Sequence, residues 1–220
     1  MDDHKRKTHN ILLGITGSVA AVKGPELAVR LVKELDAKVK ILLTRGGTNF
    51  WEKAKAYDEK CWNEMQSLLE NDRDSKISIH TSDDEWNGWN RLGDSVLHID
   101  LRDWADLLIV APLSAHTMAK MAQGLCDDTL SCVARAWDFG YHVSRPAKPI
   151  ILAPAMNTAM WQHPLTQEQL NKICSFASKP SQCVHVVEPA SKKLACGEIG
   201  QGALAGIDDI IQASKEKFSI

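Results

Sequence analysis

The 220-residue chain is 44% hydrophobic and 25% charged, and its 26 Lys and Arg against 28 Asp and Glu leave a formal net charge of −2. That length suits one domain burying roughly 70% of its unfolded surface. The mixture of signs, with no basic block beyond Lys5-Arg6-Lys7, argues against nucleic acid or an anionic membrane as partner, and the longest apolar run, Leu107 to Leu113, is far too short to span a bilayer.

The first ten residues, MDDHKRKTHN, carry acids and no apolar stretch. They read as neither a secretory signal nor a transit peptide, and a cytoplasmic protein is expected. A first strand is expected over Asn10 to Thr16. At its end Gly14-Ile15-Thr16-Gly17-Ser18 precedes a helix, where free backbone N–H groups and the helix dipole favour a phosphate. Gly17 lets the backbone approach an anion, and Ser18 either caps the helix or donates to it. The helix carries Leu27, Leu31 and Leu35 at spacing four, one apolar stripe. Strand two, Lys38 to Leu43, ends in Thr44-Arg45, where a dinucleotide fold would place an acid for the ribose hydroxyls; hydroxyl and guanidinium favour a mononucleotide over NAD.

Residues 51–76 are charge-rich and read as an insertion or long surface excursion before strand three, Ile77 to Thr81. Trp86 and Trp89 read as anchors for the chain beyond it. His98 lies among aliphatic residues, where a satisfied core histidine is the commoner case; Asp100 or Asp103 is placed to orient it. Strand four, Asp106 to Ala111, runs into Ser114-Ala115-His116-Thr117 at the start of a helix ending near Gly124, and a further helix is expected over Thr129 to Trp137. Strand five, Pro149 to Ala153, leads into Pro154-Ala155-Met156-Asn157, which presents Asn157 as either a helix cap or a ligand at the carboxyl edge of the sheet. A helix over Thr166 to Ala177, a strand over Cys183 to Val187 and a last helix over Ile207 to Phe218 complete the pattern.

Such alternation predicts an α/β fold with a parallel sheet. No repeat or linker divides it, so residues 1–220 are expected as one domain. Of the six cysteines, none forms a CxxC pair or a zinc-spaced cluster with His. They read as reduced thiols, mostly core, and no metal site is expected. Cys196 differs: it stands in the glycine-rich LACGEIGQGA near Lys192 and Lys193, and reads as a reactive thiol on a flap.

Taken in order, GITGSVAAVK, DEWNGWNRLGDSVLHIDLRDWADLLIVAPLSAHT, GLCDDTLSCVARAWD, PAMNTAMW and KKLACGEIGQGALA resemble the flavin-containing cysteine decarboxylase family, and within it the phosphopantothenoylcysteine decarboxylases. The resemblance implies a flavodoxin-like or Rossmann-like three-layer sandwich that binds FMN and assembles as a homotrimer. It places the FMN phosphate near Gly17, Ser18, Val19 and Thr44, and the ring beside Ser114, Ala115, His116, Thr117, Ala155 and Met156. It also implies a reaction on 4'-phosphopantothenoylcysteine. The thiol-bearing carbon is oxidised to a thioaldehyde, CO2 leaves and the product is re-reduced, giving 4'-phosphopantetheine for coenzyme A. His98, contributed by one subunit, would assist the oxidation; Asn157 and Cys196, from its neighbour, would hold the carboxylate and return a proton. Lys193 and Ala195 would contact substrate.

Two residues depart from the family pattern. His116 stands where an asparagine is usual, and an imidazole lacks the amide's carbonyl acceptor. Asp128 also replaces an asparagine, adding a carboxylate to an expected subunit interface. The His116 change and the insertion at 51–76 keep open a second function as an inhibitory subunit of a Ser/Thr phosphatase, and a mixed trimer with a paralogue is also open.

Overall fold

The computed structural model describes residues 8–69, 75–179, 183–193 and 199–218. Six short apolar runs form strands: β1 (His9–Ile15), β2 (Ala37–Leu43), β3 (Ile77–Thr81), β4 (Leu107–Leu113), β5 (Ile150–Pro154) and β6 (Val184–Val186). They make one parallel sheet in the order β3-β2-β1-β4-β5-β6. Ile11 of β1 lies opposite both Val39 of β2 and Leu107 of β4. Successive side chains of a strand point to opposite faces, and here both faces are covered: Ile11, Leu13 and Ile15 enter one core, Leu12 the other.

The crossover segments supply the covering layers. A 3-10 turn (Val19–Lys23) leads into α1 (Gly24–Leu35), whose Leu27, Leu31 and Leu35 are buried against the sheet as the stripe requires. After β2 come α2 (Arg45–Trp51), α3 (Ala54–Tyr57) and α4 (Glu59–Leu69). Between β3 and β4 lie α5 (Ser82–Gly88) and α6 (Leu97–Trp104), and between β4 and β5 lie α7 (Ala115–Gln123) and α8 (Thr129–Ala136). The chain closes with α9 (Thr158–Trp161), α10 (Pro164–Cys174) and α11 (Ile207–Phe218). One core gathers α1, α4 and α11; the other gathers α6, α7, α8 and α10. Among the described residues no helix is long and apolar enough to cross a membrane.

Four sequence expectations need adjustment. The charge-rich segment 51–69 is seated rather than looped out: α4 packs on α1, Met65 is fully buried, and Trp62, Leu68 and Leu69 pack against the core. Its charges occupy the outer side, where Glu64 pairs with Lys33 of α1, and average composition conceals that amphipathy. Trp86 and Trp89 are 80% and 48% exposed and do not anchor the chain in a core among the described residues. Among the described cysteines only Cys183 is buried, and Cys126 is exposed. The glycine-rich stretch is flanked by a two-stranded antiparallel ribbon, β7 (Ala190–Lys193) with β8 (Ile199–Ala203), whose short strands and glycines give no alternation to read. Ala195 and Cys196 lie outside the described residues.

Candidate active site

In a doubly wound sheet ligands bind beyond the carboxyl ends of the strands, where the strand order reverses. Here that point lies between β1 and β4. Thr16, at the end of β1, ties the two strands together: its hydroxyl donates to the Pro112 carbonyl at 2.6 Å and accepts from the Ser114 amide at 2.8 Å. A cleft of ≈ 640 Å³ opens above them, within the range of small-molecule sites.

Its floor begins at Gly17 and Ser18. The turn after β1 runs so close to the start of α2 that a Cβ on Gly46 would lie 2.9 Å from Gly17 Cα, and one on Gly47 2.2 Å from the Ile15 carbonyl oxygen. Only glycine permits that crossing. Ser18 caps the 3-10 turn, accepting from the Ala20 amide at 3.4 Å. The N–H groups of Gly17 and Val19 have no partner among the described residues. Lys23, Phe50 and Tyr57 extend the wall on this side. The sequence offered one signal for this second layer, the Gly46-Gly47 pair beside Thr44; nothing in it marked Phe50 or Tyr57.

The opposite wall comes from the loops after β4 and β5. Ser114 caps α7 through Thr117, which leaves Ala115 and His116 to face the cleft. Ala155, Met156 and Asn157 leave β5 beside them. The Asn157 amide oxygen accepts from the Ala159 backbone N–H at 2.8 Å and caps α9, and the NH2 group has no partner among the described residues. The helix-cap reading of Asn157 holds, and the cap leaves its NH2 group available at the edge of the cleft. The ribbon is pinned onto this turn: the Met156 amide donates to the Gly202 carbonyl at 2.8 Å, and Gly202, at φ +105°, has its Cα so close that a Cβ would sit 2.7 Å from the Met156 oxygen. β8 is thus fixed beside Asn157.

The structure brings Gly17, Ser18, Val19, Ser114, Ala115, His116, Ala155, Met156 and Asn157 to this one cleft. Three other candidates stand apart. Thr44 is 6% exposed and its hydroxyl is spent within the chain, donating to the Ile15 carbonyl and accepting from the Gly47 amide as the cap of α2. Thr117 is buried behind Ser114. Lys193 is the last residue of β7, and its side chain lies outside the described residues. His98, on α6, is absent from the lining, and its ring is held neither by Asp100 nor by Asp103. Asp103 pairs with Arg102 and Arg145, whereas His98 Nδ1 lies 2.6 Å from Glu85 Oε1. Glu85 reaches it from α5, thirteen residues earlier, a pairing that sequence spacing did not suggest.

Behind the His116 wall, Lys120 of α7 bridges two carboxylates, Asp127 Oδ1 and Asp128 Oδ2, each at 2.7 Å. Burial would lower the Lys120 ammonium, but the hydrogen bonds it donates to both acids outweigh this and hold it above its ordinary value. Asp127 is pushed below the ordinary carboxylate value, chiefly by that hydrogen bond. Asp128 also caps α8 by accepting from the Ser131 amide at 2.8 Å, so the added carboxylate is used and neutralised inside the chain. A smaller cavity of ≈ 230 Å³ between α7, α8 and α10 holds none of the candidate residues.

A family model described as "Flavoprotein" matches residues 1–219. Phosphopantothenoylcysteine decarboxylase of Mus musculus is 39% identical over 207 residues, 94% of this chain and 86% of its own length. Phosphopantothenoylcysteine decarboxylase HAL3 of Malus domestica is 41% identical over 195 residues, 89% of this chain and 76% of its own. Among solved structures, a PPC decarboxylase mutant complexed with pantothenoylaminoethenethiol superposes with a TM-score of 0.76 at 35% identity, covering 97% of this chain and 100% of that one. The FMN binding protein AtHal3 gives 0.77 at 35% identity, covering 97% and 98%.

Proposed function

The chain belongs to the flavoprotein family, and on that premise we propose that it is an FMN-dependent phosphopantothenoylcysteine decarboxylase, converting 4'-phosphopantothenoylcysteine to 4'-phosphopantetheine on the route to coenzyme A. One observation carries the reading to particular residues. The loops after β1, β4 and β5 converge on a single cleft at the reversal of strand order, with Asn157 at its edge and β8 fixed beside it.

The cleft fits FMN. The free N–H groups of Gly17 and Val19 and the ammonium of Lys23 suit a phosphate, while Val19, Phe50, Met156 and Met160 suit a flat aromatic ring. Bound there, FMN supplies a two-electron acceptor and donor that makes the thiol-bearing carbon a path for electrons released with CO2. The residues do the rest. The Asn157 NH2 orients the substrate carboxylate by neutral hydrogen bonding, without the charge pairing that would oppose loss of CO2. Cys196 returns a proton to the enethiolate from the segment between β7 and β8, and Lys193 and Ala195 contact substrate. His98 accepts the thiol proton. Its place outside the cleft of its own chain supports a homotrimer in which it serves a neighbour's cleft, a cytoplasmic assembly that leaves room for a paralogue as third member. The phosphatase-subunit alternative draws no support from the fold, which both readings share.

Purified protein should be yellow, release FMN on denaturation, and evolve CO2 from phosphopantothenoylcysteine; a colourless protein that cannot be reconstituted overturns the reading. His116→Asn should restore a carbonyl acceptor toward the ring and tighten FMN about fivefold, the worth of one hydrogen bond of about 1 kcal/mol. Fluorescence titration of the apoprotein measures it, and an unchanged affinity and potential would mean that His116 does not meet the ring.

A further inference from the structure

His98 and Glu85 form a pair whose geometry is more specific than a surface ion bridge. An ionised carboxylate only accepts, so at 2.6 Å from Glu85 Oε1 the His98 Nδ1 carries the hydrogen, and in the neutral ring Nε2 is left with its lone pair free. The pair is half-enclosed, with side-chain exposures of 25% for His98 and 14% for Glu85. Glu85's second oxygen, Oε2, is buried and has no hydrogen-bond partner among the described residues. A buried carboxylate oxygen without a donor costs stability. A glutamate kept there for stability alone would be better replaced.

The surrounding chain holds Glu85 to this task. The capping box of Thr81 and Asp84 starts α5, with the Asp84 carboxylate accepting from the Thr81 amide at 2.6 Å. The return to α6 is pinned by Asp94, whose Oδ2 accepts from the Asn90 and Arg91 amides at 2.9 Å each. On the far side the Thr129 amide of α8 donates to Ser82 Oγ at 3.4 Å. Thr129 Oγ1 is itself a buried oxygen without a partner. The two unpartnered oxygens thus sit on helices in contact, α5 and α8.

We propose that Glu85 is a positioning residue for the decarboxylation: by accepting the Nδ1 hydrogen of His98 it commits the ring to the tautomer whose Nε2 takes the proton of the substrate thiol. This rests on the reading that His98 serves the oxidation step. In that step R–CH2–SH becomes R–CH=S. The S–H bond breaks and its proton goes to Nε2; a C–H bond breaks and its hydride, with both electrons, goes to the flavin; the second C–S bond forms. The imidazolium so produced stays paired with the Glu85 carboxylate until it gives the proton up.

The test uses the FMN-loaded enzyme with 15N-labelled histidine. The wild-type His98 ring should show a protonated Nδ1 and an unprotonated Nε2, and finding the opposite tautomer overturns the proposal without any variant. Glu85→Gln, whose amide offers both an acceptor and a donor, should mix the tautomers, leave FMN content unchanged and slow anaerobic flavin reduction by substrate about 10–100-fold, the usual effect of removing a residue that orients a functional histidine. Glu85→Asp should recover part of the rate. In a His98→Gln background the same Glu85→Gln change should cost less than about twofold, because its partner is gone. Equal losses in both backgrounds would show that Glu85 acts elsewhere and overturn the proposal. Full activity of His98→Gln alone would instead overturn the reading of His98 beneath it.

Discussion

Asn157→Asp should lower kcat/KM about 10³-fold, as loss of a preorganised donor does, while leaving the melting temperature within about 2 °C of wild type. The two halves of the prediction come from the two ends of one amide. Its oxygen caps α9 through the Ala159 N–H, and an aspartate oxygen caps a helix equally well. Its NH2 becomes an anionic oxygen that meets the substrate carboxylate with like charge. The Met156 to Gly202 hydrogen bond fixes the turn, so the side chain has little freedom to retreat. Asn157→Ser separates the terms further, since serine also caps but does not reach. Steady-state kinetics and thermal unfolding of both variants decide the matter: activity near wild type in Asn157→Asp would reduce Asn157 to a helix cap.

The residues that announced the fold were those whose neighbours in sequence are their neighbours in function. The β1 and β4 runs, buried on both faces, and the Leu27, Leu31 and Leu35 stripe show their periods locally, and the cleft follows from where such strands end. Asn157 and His116 were legible for the same reason. What stayed hidden depends on distant pairing. Glu85 meets His98 only because α5 and α6 pack together, and Met65 is core only because α4 finds α1. Thr44 was read from a hydroxyl at a strand end, and the sequence did not show that the close approach of Gly47 to Ile15 turns that hydroxyl inward as a cap. The β7–β8 ribbon escaped because it holds Gly200 and Gly202, residues that strand propensity counts against, and Gly202 is required by its contact with the Asn157 turn.

Lys120→Met should destabilise the fold by about 2–3 kcal/mol, lowering the melting temperature by roughly 5–10 °C. Removing one partner from an enclosed ion pair leaves the other charge uncompensated, and Asp128 is only 12% exposed. Solvent relieves Asp127, 66% exposed, so the full cost of a wholly buried pair is not expected. The pH dependence separates this clamp from simple packing. Asp127 is held below its unfolded value, so its contribution is present above about pH 4 and is lost as pH falls through the depressed value. Lys120 is held above its own, so its contribution is present below about pH 10 and is lost as pH rises through the raised value. The stability gap between wild type and variant should therefore be flat between those limits and narrow toward acid, as urea titrations at several pH values would measure. A gap unchanged down to pH 2 would mean that the Lys120 stem contributes by packing and the charges do not. Because α7 carries both Lys120 and the cleft residues Ala115 and His116, the variant should also bind FMN more weakly, and restoring the cation with Lys120→Arg should recover part of both losses.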